Sequence, residues 1–223
     1  MKGESLGREQ INYYPVYLKL KGKLCLVVGA GKVACRKVGS LLEAGARVTV
    51  VSPEADDELK NLAQQGAIIW KRKEFEKADL EGAFLVVGAT GSQRVNRLIF
   101  EQAEAGGVLV NIVDDSGLCN FIVPAVFRRG DFQIAVSSAG ASPVLVRKVR
   151  EELELRYGPV YSDIVEQMRS LRTWLKEKLP DEEKRRRFWE DFVDLEFFDT
   201  LSEQDVSAKL KERALQCLSR LVD

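Results

Sequence analysis

The chain contains no histidine. That absence excludes Ser-His-Asp and Cys-His catalysis and any histidine metal ligand. Proton transfer near neutral pH is left to a carboxylate, a perturbed Lys or Cys, or a Tyr. Cysteine is scarce too: Cys25, Cys35, Cys119 and Cys217 form no CxxC pair and no zinc-like spacing. Neither a zinc ribbon nor a disulfide framework is encoded, and a reducing cytoplasmic compartment fits best. No run approaches the roughly 20 apolar residues that a membrane span needs, and 1–10 is polar, without the apolar core of a secretory leader. Charge of one sign is not in excess. Thirty-four basic residues balance thirty-four acidic ones, which argues against a general nucleic-acid binder.

What the chain has is 223 residues, 45% of them hydrophobic, enough for one nucleotide-binding domain and something smaller. The apolar run Leu24-Cys25-Leu26-Val27-Val28 leads into Gly29-Ala30-Gly31-Lys32-Val33-Ala34 and then into a segment of helical periodicity. Strand, glycine turn and helix in that order form a dinucleotide phosphate site. Gly29 permits the tight turn, Gly31 lets backbone approach a pyrophosphate, and small Ala34 lets the helix pack on the sheet. The helix start offers free N–H groups and a positive dipole end to the phosphates. The chain therefore performs redox chemistry with a nicotinamide, or senses one.

Ala34, Val38, Leu41 and Leu42 recur at helical spacing, and Gly45 stands where that helix stops. Further strands are predicted at 47–51, 67–70, 84–89 and 108–113, with helices at 54–65 and around Val95 to Ala103. This alternation predicts a Rossmann-like, doubly wound parallel sheet. After Asp115 the pattern changes. Strands at 121–127 and 132–137 meet near Arg128-Arg129-Gly130-Asp131 with no helix between them, so they do not extend the sheet. Ser142-Pro143 opens a helix that Gly158-Pro159 breaks, and amphipathic helices follow to a last one near 202–221. The expected division is 1–115 nucleotide-binding, 116–158 a small α+β dimerisation region, and 159–223 a helical domain.

Ligands of such sheets sit beyond the carboxyl ends of the strands. Ser52-Pro53-Glu54 ends the second strand, where a ribose-binding acid is often found. Here Ser52 takes that place and Glu54 follows two residues later, which leaves NAD against NADP open. Ala89-Thr90 begins a small-residue turn able to pass close to a cofactor, although both segments also read as plain βα loops. Asn111-Ile112-Val113-Asp114-Asp115 puts two carboxylates at the mouth of the sheet, as a base, proton acceptor or metal ligand, or simply as the start of a turn. Ser137-Ser138 and the small residues after them feed a helix carrying Arg147, Lys148 and Arg150, which could grip an anionic substrate or form a solvated face.

The segments Tyr14-Pro15-Val16-Tyr17-Leu18, Val28-Gly29-Ala30-Gly31-Lys32-Val33-Ala34-Cys35-Arg36-Lys37, Ala89-Thr90 and Asn111-Ile112-Val113-Asp114 occur in one order. Asn120-Phe121-Ile122-Val123-Pro124, Ser137-Ser138-Ala139-Gly140-Ala141-Ser142-Pro143-Val144 and Arg186-Arg187-Phe188-Trp189-Glu190 continue it. Together they resemble the precorrin-2 dehydrogenase and sirohydrochlorin ferrochelatase family, which includes the N-terminal module of sirohaem synthases. The resemblance implies oxidation of precorrin-2 to sirohydrochlorin with NAD+ as hydride acceptor, in a homodimer whose partners exchange the elements after Asp115. It implies that Asp114 is catalytic, that Lys32-Val33 and Pro53-Glu54 contact the cofactor, and that Ser138 lies beside the site. The polycarboxylate tetrapyrrole gives Arg147, Lys148 and Arg150 a ligand. Some members also insert Fe2+, for which Asp114 would be a transient contact with no fixed metal ligand set; the fused methyltransferase domain of trifunctional members is not expected here. The competing reading is a dinucleotide-sensing module without catalysis.

Overall fold

The computed structural model describes residues 12–222, so the polar 1–10 stretch lies outside the described residues. The chain divides into two compact units, one up to Val123 and one from Pro124. The first contains β1 (Leu24–Val28), α1 (Lys32–Glu43), β2 (Arg47–Val51), α2 (Asp57–Gln64), β3 (Ile68–Lys71), β4 (Leu85–Gly88), α3 (Gln93–Ala105) and β5 (Leu109–Ile112). Every strand pairing is parallel and the order is β3-β2-β1-β4-β5. The central strand shows why the sheet is wound on both faces. Cys25 and Val27 point into one apolar cluster with Ala34 and Val38 of α1 and Leu59 of α2. Leu26 and Val28 point into another with Ile99 and Ala103 of α3. Side chains alternate along a strand, so a strand covered on both sides must be apolar throughout. The sequence reading of a doubly wound Rossmann-like sheet is correct.

α2 starts at Asp57 and not at 54. The Ser52 hydroxyl donates to the Glu54 carbonyl at 2.6 Å, closing a local turn, and the Asp56 side chain then caps the helix by accepting from the Glu58 N–H. Near the sheet's edge, Asp79 is a buried carboxylate. It accepts from the Glu76 N–H and from the ammonium groups of Lys71 and Lys73, each at 3.0 Å. Burial pushes its pKa up, but the Glu76 amide and the two lysines outweigh this and hold it below the usual carboxylate value. Its stabilising contribution is therefore complete above the unfolded pKa of about 4 and is lost as pH falls through the lower folded value. Asp79→Asn is expected to cost about 1–3 kcal/mol in urea unfolding at pH 7, with the gap to the native chain closing as pH falls through the lowered folded value.

The second unit contains β6 (Ala125–Arg129) and β7 (Phe132–Val136), an antiparallel pair separate from the main sheet. Then come α4 (Pro143–Arg156), α5 (Val160–Lys178), α6 (Glu182–Phe192), α7 (Leu195–Asp199) and α8 (Val206–Val222). As read from Ser142-Pro143, Ser142 caps α4 and Pro143 occupies its first position. Tyr161, Ile164, Leu175, Phe188, Phe192, Phe198 and Leu210 form the core of the helical part. None of α4 is buried, and Val144, Leu145 and Leu155 on it stand exposed. The short α7 escaped the sequence reading: five residues carry too little periodicity, although Asp194 caps it. The last helix begins at 206, later than 202, because Ser202 donates its N–H to Asp205 in a turn. No helix among the described residues is long and apolar enough to cross a membrane.

Candidate functional site

A cavity of about 880 Å³ opens at the carboxyl ends of β1, β2 and β4. It gathers Gly29, Gly31, Ser52, Pro53, Glu54, Ala89 and Thr90, all singled out from sequence. Lys32 and Val33 begin the helix directly after Gly31. The two glycines serve different ends. Gly29 has φ +99°, and a Cβ there would lie 2.4 Å from the Ala89 carbonyl oxygen, so the β1 and β4 turns meet only because it has no side chain. Gly31 has ordinary φ of −88°, and a Cβ on it would meet nothing within 4 Å. The space beside it is open to a ligand.

Gly31 also gives α1 no side-chain cap, whereas Asp56 caps α2 and Ser92 caps α3. The uncapped helix start therefore keeps N–H donors and the positive dipole end for an anion at the cavity. The other walls are fixed by their own bonds. Trp70 donates its indole N–H to the Ser52 carbonyl and Arg72 donates to the Pro53 carbonyl. Asn96 donates to the Thr90 carbonyl at 3.1 Å and pairs with its hydroxyl at 2.6 Å. Asp56, Glu74, Phe75 and Arg94 line the cavity as well and were not anticipated. Asp56 was legible as a helix cap; Glu74 and Phe75 come from the loop after β3 and carry no local signal. The cradle fits a dinucleotide: glycines where backbones meet, open space by Gly31, and free donors.

Asp114 lies outside that cavity wall, on the turn that follows β5. It is exposed and takes a left-handed backbone with φ +62°, rare for a residue with a side chain. Its neighbour Asp115 is exposed too and accepts from the Gly117 N–H at 3.1 Å, starting a short 3-10 helix. Asn111 is buried, and its amide donates to the Phe121 carbonyl and to Cys119 Sγ. Asn120 extends the edge of β5, accepting from the Val110 N–H at 2.7 Å. The Phe121 carbonyl is thus spent on Asn111, and β6 begins at Ala125 and not at 121. Lys37, half-buried on α1, was not singled out. Burial and Arg36 lower its pKa, while the charge of Asp114 and then Cys119 act to raise it, so these groups share one electrostatic neighbourhood.

Ser137, Ser138, Arg147, Lys148 and Arg150 belong to the second unit. Ser137 accepts from the Ala139 N–H and Ser138 from the Ser142 N–H, shaping a loop with left-handed Ala139 and Gly140. On α4, Arg147 lies 3.9 Å from Glu151 and Arg150 pairs with Glu154. Lys148 is exposed. The cations are thus one face of a helix that also carries acids.

The doubly wound sheet and its glycine cradle define a dinucleotide-binding protein with an added helical unit. Residues 16–125 match a family model described as putative NAD(P)-binding, 129–155 one for the sirohaem biosynthesis protein central region, and 161–215 one for the sirohaem synthase dimerisation region. The three models follow one another along most of the chain, and two of them are models of sirohaem synthesis proteins. It is 39% identical over 206 residues to a sirohaem synthase of Neisseria meningitidis serogroup C (strain 053442), covering 92% of this chain and 43% of that relative. It is 42% identical over 180 residues to sirohaem synthase 1 of Aeromonas salmonicida (strain A449), covering 81% and 38%. The chain thus spans about two fifths of the length of these relatives. Among solved structures, SirC, a precorrin-2 dehydrogenase, superposes with a TM-score of 0.76 at 29% identity, over 93% of this chain and 100% of that one.

Proposed function

We propose that the chain oxidises precorrin-2 to sirohydrochlorin, with NAD+ as the hydride acceptor. The observation that carries this reading is the superposition on the whole length of the SirC precorrin-2 dehydrogenase, together with the glycine cradle of this chain. When bound, the oxidised nicotinamide ring accepts a hydride. The chain's own residues do the rest. The α1 start and the Gly29–Gly31 backbone hold the pyrophosphate. Glu54, Asp56 and Glu74 line the cavity against one cation, Arg94, an acidic balance that favours a ribose hydroxyl over a 2′-phosphate and so NAD over NADP. Asp114 takes the proton that the macrocycle gives up. Ser138 and the α4 cations receive the peripheral carboxylates. The non-catalytic sensing module is not favoured, because the relatives described above are named as synthases and a dehydrogenase.

The protein works as a homodimer in a reducing cytoplasm. The unburied α4 with Val144, Leu145 and Leu155, the match to a dimerisation region, and four unpaired cysteines support this. Mixing the protein anaerobically with precorrin-2 and NAD+ should yield NADH and the sirohydrochlorin spectrum together; no NADH would sink the reading. Adding Fe2+ to the product then measures iron insertion directly. Arg147→Ala with Arg150→Ala should raise the KM for precorrin-2 about threefold and leave NAD+ affinity alone, since each exposed and partly neutralised cation contributes only about 0–1 kcal/mol. Equal loss for both ligands would instead mark a folding or dimer defect.

A further inference from the structure

We propose that Cys119 is a positioning residue for Asp114: its thiol pins the turn that presents the carboxylate. The inference rests on the reading that Asp114 accepts the substrate's proton. The turn spans residues 112–115, closed by the Asp115 N–H on the Ile112 carbonyl at a long 3.4 Å. Asp114 sits third in it, at the position where a left-handed backbone is normally left to glycine or asparagine. A weakly closed turn with an aspartate at φ +62° needs support from outside its own backbone.

Cys119 supplies that support. The Ile112 N–H donates to Sγ at 3.2 Å and the Asn111 amide at 3.5 Å, while the S–H can donate to the carbonyl of Asp115 at 3.1 Å or of Ile112 at 3.3 Å. Both ends of the turn are thereby tied to one atom. Burial raises the thiol pKa, with Asp115 adding to it against the Ile112 amide and Lys37, so the group stays protonated and keeps its donor at neutral pH. This cysteine is half-buried, and besides the Asn111 amide its sulfur's partners all belong to the Asp114 turn. Alanine at 119 removes every one of these bonds. Serine keeps one donor and an acceptor on a shorter arm.

The test uses the full chain with Cys119→Ala, Cys119→Ser, Asp114→Asn and the Cys119→Ala/Asp114→Asn double variant. Cys119→Ala should lower kcat for precorrin-2 oxidation about tenfold, with NAD+ affinity within about twofold, and Cys119→Ser should recover most of the rate. Because Cys119 acts through Asp114, the double variant should be no slower than Asp114→Asn alone. Native turnover in Cys119→Ala, or losses that multiply in the double variant, would overturn the proposal. Amide hydrogen exchange needs neither substrate nor cofactor. In Cys119→Ala the amides of residues 113–115 should exchange about tenfold faster, with those of β1 unchanged. Unchanged exchange in the turn, or a rise throughout the unit, would overturn it as well. Should the native chain not oxidise precorrin-2, the proposed function falls, and the exchange comparison still decides whether Cys119 holds the turn.

Discussion

Gly31→Asp will bind NAD+ at least about a hundredfold more weakly than the native chain, a loss of about 2.7 kcal/mol, while its unfolding midpoint stays at or above the native value. The fold has room for the side chain, because φ is −88° and nothing lies within 4 Å of the Cβ position. Aspartate is a good helix cap, and α1 lacks one. The carboxylate would therefore claim the donors meant for the pyrophosphate and add a like charge beside it. Gly29→Ala should do the opposite kind of damage. Its Cβ meets the Ala89 carbonyl at 2.4 Å and its φ is +99°, so the joined turns must part and stability falls first. Titration calorimetry with NAD+ and thermal unfolding separate the two. Native NAD+ affinity in Gly31→Asp would remove the α1 start from the cofactor site.

Asp114→Asn should slow precorrin-2 oxidation at least about tenfold, roughly 1.4 kcal/mol of barrier, with NAD+ affinity nearly unchanged. The amide keeps the shape of the side chain, and asparagine tolerates the left-handed backbone of φ +62° as well as aspartate does. What it loses is the ability to accept a proton, and no histidine exists to stand in. Asp115→Asn is the control. That carboxylate is engaged with the Gly117 N–H and caps a short 3-10 helix, so its variant should be milder in rate. A normal rate in Asp114→Asn, read by NADH formation, would mean that the macrocycle loses its proton to solvent, and the catalytic assignment would go.

Much of the sheet was legible because its signals are local. β1 is an apolar run of five residues ended by glycine and β2 a β-branched run ended by Ser-Pro, and their predicted bounds coincide with the observed ones. Boundaries slipped where side chains compete with regular structure, at Ser52 before α2 and at Asn111 and Asn120 before β6. The glycine cradle was readable because each residue lies within one strand–turn–helix step. The walls added by Glu74 and Phe75, from the loop after β3, and by Arg94, in the first turn of α3, depend on sheet order, which no single window contains. Lys37 and Cys119 escaped for another reason: a half-buried lysine and a single cysteine look alike in every helix and loop until tertiary contacts show what they face.

α1 is more than a packing element. Its first turn stands at the cofactor cavity, and Lys37, whose charge feels Asp114, lies six residues after Gly31 on the same rigid rod. Along the axis that separation is about 9 Å, at 1.5 Å per residue. The cavity at one end and the lysine that feels Asp114 at the other are thus spaced by a measuring stick rather than by a hinge. One residue inserted between Ala34 and Lys37 would leave the phosphate end intact yet swing the lysine by about 100° around the helix. Loop lengths elsewhere in the sheet can drift without altering that spacing; the register of this one helix cannot.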